Sequence, residues 1–177
     1  MVRMLIMLLF MANSVVCYAK LPNFVPKELY ERSDLVVVGL LTGDIGVAAN
    51  GEKAAIMQVL FYIKGDGPSE IHVCDDNRDQ EGLRVTKNPS KEKEVFFLKK
   101  IDGCYIGAFG YKSLAYLYPG SSCIVTLLAY ESESLPNDLE PLDVFITNLT
   151  GKPVVLPSSL TSTLSDYIFP ILRRSLI

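Results

Sequence analysis

The sequence contains no tryptophan, a single histidine and four cysteines among its 177 residues. One histidine cannot supply a metal site built from several imidazoles or a pair of catalytic imidazoles. The 17 basic and 20 acidic residues leave no strongly positive field, whereas sequence-independent nucleic-acid binding needs clustered lysine and arginine. The composition therefore favours a binding module over an enzyme, with no cofactor and no nucleic-acid partner.

Charged residues are also few, at 21%, while 49% of the residues are hydrophobic. A chain of this length and composition can bury enough apolar surface to offset the entropy lost on folding, which excludes wholesale disorder. Long hydrophobic runs are absent: the internal windows 34–41 and 123–130 have eight residues each, and a membrane-spanning helix needs about 20. Both windows suit buried strands. We therefore predict no membrane span after the N-terminal segment.

Residues 1–19 have the features of a secretory signal peptide. Arg3 provides a positive charge, residues 4–12 form a short apolar run, and Cys17 and Ala19 are small residues suited to a cleavage site after position 19. Lipidation of Cys17, as in a bacterial lipoprotein, is the rival interpretation, but valine rather than Gly or Ala precedes this cysteine. Cleavage after Ala19 predicts a protein secreted to the extracellular space, or to the periplasm if the source is bacterial.

Export to an oxidising compartment predicts one disulfide among the cysteines that remain after cleavage, which are Cys74, Cys104 and Cys123. Three pairings are possible, and the sequence does not choose between them. The alternative is that all three are small buried residues. Neither interpretation makes them catalytic, because a reactive thiolate needs a nearby base. The one imidazole, His72, shares a predicted strand face with Cys74 but has no evident third group to orient it.

Short apolar segments separated by turn residues predict a mainly β domain that follows one short helix, Pro26–Arg32. The first two strands should pair as a hairpin across Ala49-Asn50-Gly51. The predicted strands are residues 35–41, 54–64, 70–74, 94–99, 104–109 and 113–118.

Glycines lie inside two of these strands, at Gly39 and Gly107. A glycine within a strand lets the backbone bend sharply or approach a neighbour, as the corner of a small barrel requires. We therefore predict a small closed OB-fold-like barrel with a short N-terminal helix and a C-terminal extension. A two-sheet sandwich is the competing all-β solution, because periodicity alone does not distinguish the two closures.

The predicted barrel domain (20–130) is followed by an acidic linker and C-terminal extension (131–177), which begins with a stretch rich in helix and strand breakers, residues 131–141. Within the extension, residues 143–149 and 152–156 are predicted to form a further hairpin. Asn148 begins an Asn-Leu-Thr sequon. It is a glycosylation candidate if the source is a eukaryote and the segment is exposed.

One polar loop has an oxygen-ligand pattern that is suited to calcium. Its alternating candidate ligands are Asp75, Asn77, Asp79 and Glu81. The match to a calcium-binding loop is incomplete, because Gln80 stands where the sharp-turn glycine is expected and Thr86 where the bidentate glutamate is expected. A solvated connection between strands explains the same composition.

Several segments, in their order and spacing, carry a resemblance to a known family. They are Ser33–Gly39, Lys64-Gly65, Glu70–Val73, Glu94–Leu98 and Gly103–Tyr105. Together they resemble the secreted domains of tissue inhibitors of metalloproteinases and netrin-like modules over about residues 26–120. The resemblance implies an OB-fold barrel and, as in the best-known members, a metalloproteinase as a protein partner.

In those inhibitors a mature N-terminal cysteine offers its amine and its carbonyl oxygen to the protease zinc, where the chelate displaces the catalytic water. Cleavage after Ala19 would remove Cys17 and make Lys20 the first residue. We therefore expect a secreted protein-binding module that lacks this chelating motif. The alternative is a structural or envelope-associated secreted protein without enzymatic activity.

Overall fold

The computed structural model describes residues 26–77, 82–87, 92–111, 113–117, 123–125 and 139–160. The predicted signal peptide lies outside these residues. The elements in chain order are α1 (Pro26–Arg32), β1 (Leu35–Val47), β2 (Lys53–Lys64), β3 (Glu70–Cys74), β4 (Lys93–Ile101), β5 (Cys104–Tyr111), β6 (Leu114–Leu117), β7 (Cys123–Val125), β8 (Leu139–Pro141), α2 (Leu142–Thr150) and a 3-10 turn (Ser158–Leu160).

Strands β1 to β5 close into a barrel. β1 pairs antiparallel with both β2 and β4, β2 pairs with β3, and β4 pairs with β5. The ring is completed by β3 and β5, which run parallel with Val73 opposite Tyr105. The predicted OB-fold-like barrel with its short N-terminal helix is confirmed, and the sandwich does not form. No helix in the described ranges is long and apolar enough to cross a membrane.

The continuous apolar run at the start of β1 is explained by burial on both faces of the strand. Alternate residues enter two different clusters. Leu35 and Val37 face the barrel interior, together with Met57, Ile71, Val73, Phe96 and Leu98. Val36 and Val38 face outward and pack beneath the helices, together with Leu29, Phe97, Leu142, Phe145 and Leu149. The barrel wall is therefore a shared layer between an inner core and a helix-covered core.

Helix α1 is fixed to the barrel at its C-terminal end. The last carbonyl groups of a helix have no partner within the helix. Here the Lys64 ammonium group, at the end of β2, donates to the carbonyl oxygens of Tyr30 at 2.8 Å, Glu31 at 3.1 Å and Ser33 at 2.5 Å. The charge also favours the negative end of the helix dipole. One lysine thus joins the helix to the sheet.

The predicted second hairpin is wrong, because residues 142–150 form helix α2. β-branched residues there favour a strand, but the buried side chains recur at helical spacing: Leu142, Phe145, Ile146 and Leu149. Gly151 ends the helix in the left-handed conformation, at φ 71°, and its N–H donates to the carbonyl oxygen of Thr147 at 2.8 Å. Residues 152–156, the other half of the predicted hairpin, form no strand.

Candidate functional site

Cys74 and Cys104 form a disulfide, with an S–S distance of 2.06 Å and Cα atoms 6.1 Å apart. Cys74 ends β3 and Cys104 begins β5, so the bond lies beside the parallel pair that closes the barrel. This is one of the three pairings that the sequence left open. Both residues are buried, with exposures of 1% and 2%. The side chain of Cys123 lies outside the part of the chain that the structure describes.

Two hairpin turns meet next to the disulfide. The β4–β5 turn consists of Asp102 and Gly103, whose positive φ values of 48° and 80° suit the tight Asp-Gly turn of a two-residue hairpin. A Cβ placed on Gly103 would lie 3.0 Å from the Cβ of Ala49 in the β1–β2 turn. We name this region, comprising residues 49–52, residues 102–103 and the disulfide, the disulfide end of the barrel.

The β1–β2 turn is held in shape by its own hydrogen bonds. The N–H of Ala48 donates to the carbonyl oxygen of Glu52, and the N–H of Gly51 donates to that of Ala48, both at 2.9 Å. The side-chain oxygen of Asn50 accepts from the N–H of Glu52 at 3.0 Å, and its amide donates to the Glu52 carboxylate at 3.1 Å. The turn therefore presents an ordered surface.

The outer face of β2 and β3 continues from the disulfide end. Ile56 lies opposite His72 on this face, and both are half-buried. A Cβ on Gly46 would lie 3.1 Å from His72 Nε2 and 3.4 Å from the Ile56 side chain, so β1 packs closely here. His72 and Cys74 alternate with the inward-facing Ile71 and Val73, in agreement with the predicted shared face. Cys74 carries no thiol, because its sulfur is in the disulfide.

The predicted calcium loop is partly described. Both carboxylate oxygens of Asp75 accept hydrogen bonds from Thr86, one from its N–H at 2.9 Å and the other from its hydroxyl at 2.6 Å. The side-chain oxygen of Asn77 accepts from Arg84 at 2.6 Å. Asp79 and Glu81 lie outside the described residues. Within the described ranges, no group of three or more His, Cys, Asp and Glu residues could hold a metal ion, and the calcium loop stays a prediction.

The glycosylation candidate Asn148 lies in helix α2 rather than in a loop, and it is exposed. The Thr150 hydroxyl of the same sequon donates to the carbonyl oxygen of Ile146 at 2.9 Å and accepts from the N–H of Lys152 at 3.2 Å. The folded protein thus presents the Asn148 side chain to solvent while Thr150 is held by the helix end.

The chain has no match among protein-family models, curated proteins or solved structures. The candidate site is therefore defined by its geometry alone: two ordered turns, a buried disulfide and the strand face beside them. The Cys74–Cys104 bond is of the kind that persists in oxidising compartments. It is compatible with an extracellular protein.

Tyr62, on β2, makes the stability of the barrel depend on pH in the alkaline range. Burial raises its pKa above the usual 10.0, and the neighbouring Tyr105 and Asp66 raise it further. Above about pH 10 the unfolded chain loses this proton before the folded protein does, so the free energy of unfolding falls as the pH rises. We expect Tyr62→Phe to flatten this fall in urea unfolding at about pH 8 and about pH 11.

The same substitution removes a hydrogen bond at neutral pH. The Tyr62 hydroxyl donates to the carbonyl oxygen of Pro68 at 2.6 Å, so Tyr62→Phe should lower the free energy of unfolding by about 1 kcal/mol at pH 8. If the free energy of unfolding falls equally between about pH 8 and about pH 11 in the unmodified protein and in Tyr62→Phe, the assignment to Tyr62 is contradicted.

Proposed function

We propose that the protein is a secreted protein-binding module that holds its partner at the disulfide end. The observation that supports this most is the close approach of the turns at Ala49 and Gly103, because it brings two hairpins into one surface beside a cross-link. A surface that is ordered before binding loses little conformational entropy in the complex. In OB-folds the corresponding loops and the β2–β3 face are the usual place of ligand contact.

The charges around the disulfide end favour a protein as the partner. Exposed residues of both signs lie around it: the acidic Glu52 and Asp102 and the basic Lys53, Lys99 and Lys100. A polar and solvent-accessible rim is typical of protein–protein interfaces. A nucleic acid would instead require a surface with basic residues clustered along it.

The resemblance to metalloproteinase inhibitors suggests a metalloproteinase as one candidate partner. Zinc chelation by that family's mechanism needs a cysteine as the first residue, whereas the predicted mature chain begins at Lys20. We therefore propose binding through the barrel surface without chelation of the protease zinc. N-terminal sequencing of the secreted product tests this: Lys20 first is expected, and Cys17 first would restore the chelating mechanism.

The binding surface is tested by capture from extracellular or periplasmic extract on the immobilised mature protein. Lys99→Glu with Lys100→Glu reverses two exposed charges beside the disulfide end. Lys27→Glu with Lys152→Glu reverses two exposed charges of the same kind on α1 and after α2. We expect the first pair to lower the affinity for the captured protein by about tenfold or more, which is about 1.4 kcal/mol, and the second to leave it unchanged.

The proposal is wrong if both pairs behave alike, or if only envelope material is recovered, which would favour the structural alternative. A purified metalloproteinase added to the same surface tests that candidate partner directly. We expect the protease to bind without being inhibited, and we expect Lys99→Glu with Lys100→Glu to weaken this binding.

A further inference from the structure

Among the described residues, the second half of β1 has an edge without a strand partner. β1 pairs with β4 only as far as Leu40, which lies opposite Lys93, but it stays paired with β2 as far as Val47, opposite Lys53. The register shifts between Leu41 and Ile45. From residue 43 to residue 47, the side of β1 away from β2 therefore has no strand beside it in the described part of the chain. We name residues 43–47 the free edge.

The free edge carries two exposed apolar side chains. Ile45 is 46% exposed and Val47 is 65% exposed. They lie opposite Ala55 and Lys53 of β2 and so point to the same face of the ribbon, while Gly46 between them belongs to the other face.

Exposed edge strands usually carry lysine, proline or another device that prevents pairing with a further strand. The free edge has neither lysine nor proline, and its only charge is that of Asp44. Its backbone N–H and C=O groups on the open side can therefore accept another strand without burying a basic side chain.

We propose that the free edge pairs antiparallel with the free edge of a second copy of this chain, around a two-fold axis at Gly46. In this register Ile45 of each copy lies opposite Val47 of the other copy. The two equivalent pairs bring four apolar side chains together on one face. The two Gly46 residues meet at the centre.

Self-complementarity is what selects a second copy as the occupant. Opposite each Asp44 the register places Ala48 of the other copy, so the two carboxylates do not face each other. Each apolar residue meets an apolar residue, and each edge supplies the same backbone donors and acceptors. The contact is short, so the dimer should be weak, with a dissociation constant between about 1 µM and about 1 mM.

Sedimentation equilibrium of the purified mature protein tests the dimer, and it needs no other partner. Val47→Lys is expected to raise the dissociation constant at least tenfold, because it places two cations in the apolar contact. Ile45→Lys should act in the same way and is the second variant if Val47→Lys fails to fold. Val155→Lys is the matched control, since Val155 is 92% exposed on the segment after α2, and it should leave the constant unchanged.

Hydrogen exchange locates the contact. Ala48 directs its N–H towards β2, where it donates to Glu52, so by alternation the Ile45 and Val47 amides point to the open side and that of Gly46 does not. The amides of Ile45 and Val47 should gain protection as the protein concentration rises, in the unmodified protein and in Val155→Lys but not in Val47→Lys. A protein that remains monomeric at about 1 mM overturns the proposal, because a dissociation constant of about 1 mM or less would place about half of the chains or more in the dimer at that concentration. So does a dimer that Val47→Lys leaves intact, or one whose protected amides lie in another element.

Discussion

Replacing both Cys74 and Cys104 by alanine is expected to lower the free energy of unfolding by about 3–4 kcal/mol. The bond closes a loop with a sequence separation of 30 residues, and its removal lets the unfolded chain gain the corresponding freedom. The native state also depends on the bond locally. The parallel pairing that closes the barrel has one residue pair, Val73 with Tyr105, and the two cysteines are the chain neighbours of that pair.

Urea unfolding followed by far-ultraviolet circular dichroism and tyrosine fluorescence measures this loss, since the chain has no tryptophan. Either single replacement already breaks the bond, so Cys74→Ala and Cys104→Ala should each approach the loss of the double variant. Dithiothreitol should destabilise the unmodified protein and leave the double variant unchanged. If the free energy of unfolding falls by less than about 1 kcal/mol, then the β ladders and the packing around the cysteines hold β3 and β5 together without the bond.

The strands of the barrel were predictable because their signals are local. The run from Leu35 to Val38 is apolar at every position, and burial on both faces of β1 is the reason. Gly39 also behaves as predicted: a Cβ there would lie 2.7 Å from Met57 Sδ on the neighbouring strand. Strand identity and close backbone approach were therefore both readable from short windows of sequence.

The closing pair of the barrel and the disulfide were not predictable, because they depend on residues that only the folded chain brings together. Cys74 and Cys104 lie 30 residues apart, and nothing in their local sequence distinguishes them from Cys123. The same is true of the candidate site. Asn50-Gly51 and Asp102-Gly103 each indicate a turn, but the close approach of the two turns at Ala49 and Gly103 has no local signature.

The wrong strand prediction for helix α2 has a different cause, because the sequence does contain a helical pattern in this segment. Val144, Phe145 and Ile146 are strand formers, and this composition outweighed the periodicity. The buried residues Leu142 and Leu149 complete a helical stripe with Phe145 and Ile146, and Gly151 follows as a helix end. In this segment the spacing of apolar residues decides the structure, and β propensity does not, because the helix buries its stripe against the outer face of the barrel.

Gly107→Ala is expected to lower the free energy of unfolding by about 3 kcal/mol, at the upper end of the usual cost of overpacking. A Cβ at this position of β5 would lie 2.9 Å from each of three atoms: the carbonyl oxygen of Gly110, Cβ of Leu83 and Oγ of Ser113. None of them is the end of a flexible side chain. The Ser113 hydroxyl is fully buried and accepts a hydrogen bond from the N–H of Phe109 at 2.7 Å.

Gly39→Ala is the matched control, because Gly39 is also a buried glycine inside a barrel strand. Its nearest neighbour is the sulfur of Met57, which belongs to a side chain with several rotatable bonds and can move aside. Gly39→Ala should therefore lower the free energy of unfolding by about 1 kcal/mol in the same urea measurement. If the order of the two losses is reversed, then the backbone around Gly107 yields more readily than the Met57 side chain. The packing of β5 would then not depend on the close approach of Leu83 and Ser113 to Gly107.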